Sequence, residues 1–337
     1  MTKIAINGIG RIGKLVLKSF VEHGLQDAEI VLLNDPVGTP EQHAMWLEFD
    51  TVHGRWPAEF GHDEDGISIN GQRIRMTHVN KLADLPLQEL GVDVVVDCTG
   101  FFKTPARVQP YYDAGVKKVI VSAPIKLAPA LNLVFGVNHD LYDPDEHHLV
   151  TAASCTTNCL APVVKVIHDE LVIKHGSITT IHDVTNTQTI VDRPTKDSRR
   201  ARSALNSLIP TTTGSATAIT LIYPELEGRL NGHAIRVPVL NGSLTDCVFE
   251  VEHETTAAEV NALFKEYAEG PLRGILGYEE RPLVSADFLN DPRSSIVDAP
   301  STMVVNGTQV KVYAWYDNEW GYACRLADIT RMVTSMM

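Results

Sequence analysis

The sequence predicts an α/β chain: a doubly wound parallel sheet in the first half, followed by an α+β half. Three observations predict it. Short β-branched runs alternate with helical patterns from the first residues onward. A glycine-rich turn joins the first run to the first helix. From Ile178 onward the runs lengthen and long helical patterns sit between them.

The elements follow in order. Ile4–Asn7 is an apolar run that ends in glycines, and Arg11–Glu22 places Ile12, Leu15, Val16 and Phe20 at helical spacing. Glu29–Asn34, Val92–Cys98 and Lys118–Ser122 are further buried-strand patterns. His53-Gly54-Arg55-Trp56 and the Asn70-Gly71 turn point to a small β insertion. In the second half, Ile178–His182, Ala234–Pro238, Thr245–Glu252 and Lys311–Trp315 read as strands, and Ala257–Ala268 as a helix. A helix is predicted over Cys159–His168, with Cys155 just before it at its entrance. Residues 1–154 form the first predicted domain and 155–319 the second. The stretch 320–337, with a closing helix over Asp328–Met336, returns to the first. No internal repeat or low-complexity tract interrupts this plan.

Bulk composition narrows the function classes. At 337 residues the chain suffices for two domains with full cores. Lys and Arg number 29 against 42 Asp and Glu, a net charge of −13. Such an acidic chain is a poor nucleic-acid binder, because phosphate contacts need a basic face. No apolar run approaches a membrane helix in length, and the chain enters a strand at Lys3, where a signal peptide would otherwise stand. Five cysteines, at 98, 155, 159, 247 and 324, have no disulfide-framework spacing; the expectation is a reducing, cytoplasmic compartment.

Gly8-Ile9-Gly10-Arg11-Ile12-Gly13 has the spacing G-x-G-x-x-G, follows a predicted strand and opens a predicted helix. Glycines at 8, 10 and 13 let backbone approach a pyrophosphate at the helix N-terminus. Asp35 closes the next strand, 22 residues after Gly13, where an acid bonds ribose hydroxyls and repels a 2′-phosphate. This is the signature of a Rossmann-type domain binding NAD in preference to NADP. The competing reading is a doubly wound domain whose glycines serve packing alone.

Ala153-Ser154-Cys155-Thr156-Thr157-Asn158-Cys159 sets a thiol among small hydroxylated residues at a helix entrance. The positive end of the helix dipole favours the thiolate, the form that attacks carbonyl carbons. The strand Ile178–His182 ends in a histidine suited to act as its base, although a lone histidine is more often a structural group. Cys159 and Cys98 read as packed, inert thiols, and His147-His148 as a loop feature. No set of residues has metal-ligand spacing, so no metal is expected. Arg193, Lys196, Arg199, Arg200 and Arg202 crowd one segment; this is either a solvated loop or an anion site.

Taken together, these residues resemble the phosphorylating glyceraldehyde-3-phosphate dehydrogenase family from Lys3 to about Met332. The carriers are Asn7–Gly13, Ala153–Cys159 with Leu160-Ala161-Pro162, Thr211-Thr212-Thr213-Gly214, and Trp315-Tyr316-Asp317-Asn318-Glu319. The resemblance implies Cys155 as nucleophile and His182 as base. It implies Asn318 at the nicotinamide carboxamide, Arg11 and Ile12 at the pyrophosphate, and Thr99 and Ser122 along the cofactor cleft. Thr185 and Arg236 would hold the phosphate of glyceraldehyde 3-phosphate. Ser154, Thr156, Arg200, Thr213 and Gly214 would hold the attacking phosphate or arsenate. A homotetramer is implied too. Several positions depart from the family's usual pattern: Asp183-Val184 stands for Ser-Tyr, Thr187 for an acid, Arg193-Pro194 for Leu-Pro, and Ser215 for Ala. Glu48–Trp56, Ser207–Pro210 and Leu244–Val248 are similar to the type encoded with bacterial arsenic resistance, in which arsenate is the acyl acceptor. An erythrose-4-phosphate dehydrogenase, which shares an Arg-Arg-x-Arg run, and an NAD-binding redox sensor remain alternatives.

Overall fold

The computed structural model describes the backbone of residues 1–337 and every side chain except that of Thr217. The chain folds as two compact units. The first comprises Met1–Phe135, His139–Ala153 and Ala323–Met337; the second comprises Gly136–Asn138 and Ser154–Tyr322.

The first unit is built on a nine-stranded sheet. Its order is Leu131–Asn132, Leu149–Thr151, Lys118–Val121, Val94–Asp97, Thr2–Asn7, Ala28–Asn34, Gln72–Thr77, Gly66–Ile69 and Phe60–Asp63. The first seven strands run parallel, and the last two are antiparallel additions around the Asn70-Gly71 turn. Strand order reverses about Thr2–Asn7, so the carboxyl end of that strand is the switch point where such sheets bind ligands. Val94, Val95 and Val96 are wholly buried, as central parallel strands require, and contribute about 2 kcal/mol each. Three neighbouring strand ends are joined by a buried polar chain. Asn34 donates to Asn7 (2.8 Å), Asn7 to the Tyr111 hydroxyl (2.6 Å), and Tyr111 to Asp97 (2.7 Å). With each member partnered, the network fixes the strand ends beneath the glycine turn.

The last helix, Trp320–Ser335, begins earlier than the expected Asp328. Asp317 Oδ1 accepts from the N–H groups of Glu319 (2.9 Å) and Trp320 (2.7 Å), starting the helix there. Within the first unit, Arg331 ties this helix to the helix Arg11–His23 by donating to Ser19 O (2.8 Å) and Gly24 O (2.9 Å).

The second unit holds a mixed eight-stranded sheet. Its order is Ile209–Thr212, Leu230–Arg236, Ile173–His182, Ser243–Val251, Gln309–Tyr316, Ser295–Asp298 and Leu276–Glu279, with Met303–Val305 beside Gln309–Tyr316. The helix Cys155–Leu171 packs on its central strands and against the helix Ala257–Glu269. It starts four residues before the expected Cys159, because Ser154 caps it by accepting from the Thr157 N–H (3.1 Å). Ile209–Thr212, Leu276–Glu279, Ser295–Asp298 and Met303–Val305 were not foreseen. They are three or four residues long, too short for an alternation pattern to stand out. No helix among the described residues is long and apolar enough to cross a membrane.

Candidate active site

The dinucleotide turn lies wholly in the first unit. Gly8 has φ +91°, and a methyl group there would stand 2.8 Å from the Cys98 carbonyl carbon. A methyl group on Gly13 would overlap the Gly8 carbonyl oxygen, so helix and strand pack closely only with glycine. Around Gly10, by contrast, nothing lies within 4 Å of an added Cβ. Two glycines thus form the turn and the third leaves open space over the helix N-terminus, where no acid occupies the first turn. That geometry fits a pyrophosphate.

Asp35 braces the same turn: its carboxylate accepts from Ile9 N (2.9 Å) and Val37 N (3.0 Å). The Arg11 guanidinium is held by Asp50 (2.5 Å), which also pairs with Lys14; the Asp50 carboxyl is held well below its usual range because these bonds outweigh its burial. The Arg11 side chain is thus engaged by Asp50, a partner that sequence reading missed. Thr99 donates to Asp97 (2.7 Å), and Ser122 lies on the neighbouring strand end.

The reactive centre lies in the second unit. Cys155 is the first residue of its helix, and its sulfur is 3.6 Å from His182 Nε2. His182 ends the strand Ile173–His182 and is 4% exposed. Its Nδ1 lies 2.5 Å from Asp183 Oδ1 and 2.7 Å from Arg236 Nη1. Burial pushes the imidazole down, but Asp183 and the Cys155 sulfur outweigh it and raise His182 to about 9. Immediately before the helix, Ala153 takes φ +51°, a strained value for a residue with a side chain. Backbone strain of this kind clusters at functional sites.

The expected anion ligands fall into two groups. Arg236 donates to the Asp183 carbonyl (3.0 Å) and reaches His182; Thr185 pairs with Thr187 (2.9 Å) and donates to Gln188 (3.2 Å). The second group is a hydroxyl cluster. Ser154 Oγ contacts Thr157 Oγ1 (2.7 Å) and Ser215 Oγ (3.2 Å), and Thr213 donates to Ser215 (3.1 Å). Beside Gly214 no atom lies within 4 Å of an added Cβ. Arg200 donates to Thr187 (2.9 Å), the partner of Thr185, and to Thr211 (2.9 Å) on the strand Ile209–Thr212 that leads to Thr213. Thr157, Thr187 and Ser215 were missed as members; only the departures at 187 and 215 signalled two of them.

Some expectations do not hold in this geometry. The Thr156 hydroxyl points into the interior, 2.9 Å from the Tyr316 hydroxyl, so its side chain is not offered to an anion. The basic cluster does not act as one clamp: Arg202 is spent on Asp192 (2.7 Å) and Arg199 reaches Pro210 O (3.4 Å). Asn318 is held at both ends, accepting from Ser243 (2.8 Å) and donating to Asp183 (2.8 Å), which leaves one N–H and one lone pair for a ligand. Cys159 is fully buried near Thr245, Ser295 and Ala314, and burial pushes its thiol up to about 12. Burial likewise raises Cys98. Among the described residues no cluster of His, Cys, Asp or Glu is placed to hold a metal.

Comparison with known proteins agrees with these motifs. Residues 2–105 match the glyceraldehyde 3-phosphate dehydrogenase NAD binding domain, and residues 154–318 match the C-terminal domain of the same family. The chain is 58% identical over 332 residues to glyceraldehyde-3-phosphate dehydrogenase 3 of Nostoc sp., covering 98% of each chain. It is 48% identical to glyceraldehyde-3-phosphate dehydrogenase 1 of Bacillus cereus, with 99% of each covered, and 47% identical to glyceraldehyde-3-phosphate dehydrogenase of Geobacillus stearothermophilus, with 99% of this chain and 98% of the other covered. The chain belongs to the glyceraldehyde-3-phosphate dehydrogenase family, with an NAD-binding Rossmann domain followed by a catalytic domain.

Proposed function

We propose that the chain oxidises glyceraldehyde 3-phosphate through a thioester on Cys155 and passes the acyl group to an inorganic tetrahedral anion. The observation that carries this reading is a cysteine sulfur at a helix start, 3.6 Å from a buried histidine that a guanidinium also reaches, with a cluster of hydroxyls at the residue before the cysteine. One set of residues suits the substrate's own phosphate (Thr185, Arg236). Another suits the second nucleophile (Ser154, Arg200, Thr213, Gly214), with the hydroxyls of Thr157 and Ser215 behind it.

The steps follow from the residues. His182 takes the Cys155 proton, and the sulfur attacks the aldehyde carbon. The alkoxide so formed recovers the proton from His182, giving a hemithioacetal and a neutral imidazole. NAD, when bound at the glycine turn, supplies the acceptor for the hydride on that carbon. As the hydride departs, His182 accepts the hydroxyl proton, leaving a thioester. The anion held by the hydroxyl cluster attacks the thioester carbonyl, and Cys155 leaves as thiolate beside the protonated His182. Arg236 and Thr185 keep the carbon in place through both halves of the reaction.

The test is NADH formation followed by absorbance. It should require aldehyde together with phosphate or arsenate. Cys155→Ser should abolish turnover while NAD binding persists; full activity in that variant would end the assignment. A preference for erythrose 4-phosphate would favour the tetrose reading. Reversible oxidation of Cys155 without turnover would favour a redox sensor.

Two finer readings accompany this one. Arsenate is proposed as the working anion because Glu48–Trp56, Ser207–Pro210 and Leu244–Val248 resemble the arsenic-resistance type. A higher kcat/KM for arsenate than for phosphate at fixed aldehyde supports it; a phosphate preference rejects it. A cytoplasmic homotetramer is proposed from the family resemblance, and light scattering of the purified chain tests the subunit number.

A further inference from the structure

We propose that Asp183 is a positioning residue of this reaction: its carboxylate holds the His182 ring with Nε2 on the Cys155 sulfur and keeps the proton on Nδ1, completing a Cys–His–Asp arrangement. The inference rests on the proposed roles of Cys155 and His182. Asp183 is 1% exposed, and its two oxygens face two groups of the site. Oδ1 lies 2.5 Å from His182 Nδ1, and Oδ2 accepts from Asn318 Nδ2 (2.8 Å). Ser243 closes the ring by accepting from Asp183 N (3.2 Å) and donating to Asn318 Oδ1 (2.8 Å). Oδ2 is hydrogen-bonded, whereas Oδ1 is buried without a hydrogen-bond partner and acts on Nδ1 by its charge at close range, Nδ1 itself lying 3.0 Å from the Asp183 backbone carbonyl oxygen.

The choice of tautomer makes this a working contact. Arg236 Nη1 lies 2.7 Å from the same His182 Nδ1. One nitrogen cannot accept from Arg236 and donate to Asp183 at once. If Arg236 prevailed, Nδ1 would be bare and the neutral ring would carry its proton on Nε2, unable to take another from the thiol. With Asp183 prevailing, the Nδ1 proton stays and Nε2 is left to exchange protons with Cys155 and then with substrate. Four groups face the ring. Cys155 comes from the helix start, Asp183 from the chain just beyond His182, and Arg236, with Arg200 behind it, from the adjoining strand. The Tyr316 ring stands edge-on with its centroid at 6.0 Å. Asp183 is the one acidic side chain among them apart from the thiol and phenol, and it opposes the field of the two arginines. The raised pKa of His182 agrees with this balance.

The experiment uses the full chain with Asp183→Asn and Asp183→Ser. Alkylation of Cys155 by iodoacetamide is followed from pH 5 to 10, and the pH profile of kcat/KM beside it. Both variants should alkylate about tenfold more slowly at pH 7, with the alkaline limb of kcat/KM displaced to lower pH by about one unit or more. Unchanged alkylation and an unchanged profile in both would overturn the proposal. The wild-type chain provides a measurement that no variant's folding can spoil. Its proton spectrum should show a far-downfield Nδ1–H resonance that disappears in His182→Asn; a wild-type spectrum lacking it would overturn the proposal too. Neither alkylation nor the resonance needs substrate, so they stand apart from any failure of the wild-type turnover assay.

Discussion

The charge state of His182 yields a stability prediction with a defined sign. Folding raises this imidazole from 6.5 to about 9, because Asp183 and the Cys155 sulfur more than offset burial. The folded state therefore binds the proton more tightly than the unfolded chain. The stabilisation is fully present below pH 6.5 and is lost as pH rises through about 9. A rise of some 2.5 units, at about 1.4 kcal/mol each, amounts to about 3–4 kcal/mol for this 4%-exposed group. The assay compares thermal unfolding of wild type and His182→Asn at pH 6 and pH 10. At pH 6 the wild type should melt several degrees higher, since 1 kcal/mol is worth about 2–4 °C in a domain of this size. At pH 10 that margin should shrink to nearly nothing, while titrations common to both proteins cancel. A margin that stays constant, or widens with pH, would mean that the ring is neutral in the fold and that the pairing with Asp183 has been misjudged.

Three further outcomes are expected. Ser154→Ala removes the helix cap on Thr157 N and one hydroxyl of the anion cluster; it should cost about 1 kcal/mol in unfolding and raise the KM for inorganic phosphate more than that for aldehyde. Arg236→Leu also removes the cation beside His182 Nδ1 and will alter turnover of unphosphorylated glyceraldehyde, but it should lower kcat/KM for glyceraldehyde 3-phosphate about 30-fold more, or about 2 kcal/mol; equal changes on both would remove Arg236 from the phosphate site. Gly13→Ala forces a methyl group into the Gly8 carbonyl and should cost about 1–3 kcal/mol of stability. In calorimetric titration it should bind NAD far more weakly while Cys155 still alkylates; normal NAD affinity would contradict the close packing described for that turn.

Much of the site was legible in the chain because its signals are local. The G-x-G-x-x-G turn, Asp35 and the hydroxylated stretch around Cys155 each carry their meaning within a few residues of backbone. Helix boundaries were less legible. The helix Cys155–Leu171 starts at the nucleophile because one serine caps it, and Trp320–Ser335 starts where Asp317 gathers two N–H groups; each turns on a single side-chain bond. Thr156 misled for a related reason. Its position one residue past the nucleophile suggested the anion, but on a helix that step turns the side chain toward the sheet and Tyr316.

Residue types and their spacing alone determined the doubly wound half and the dinucleotide turn and singled out Cys155 as the candidate thiol, since strand and helix periods and glycine requirements are set by the local backbone. Only the tertiary structure decided which groups meet across distant segments. Asp183 lies between His182 and Asn318 and accepts from the latter across 135 residues of chain. Ser215 joins Ser154 across 61 residues, and the guanidinium of Arg236 shares the base's Nδ1 with a carboxylate. Such meetings depend on strand order and register, which no short stretch of sequence encodes.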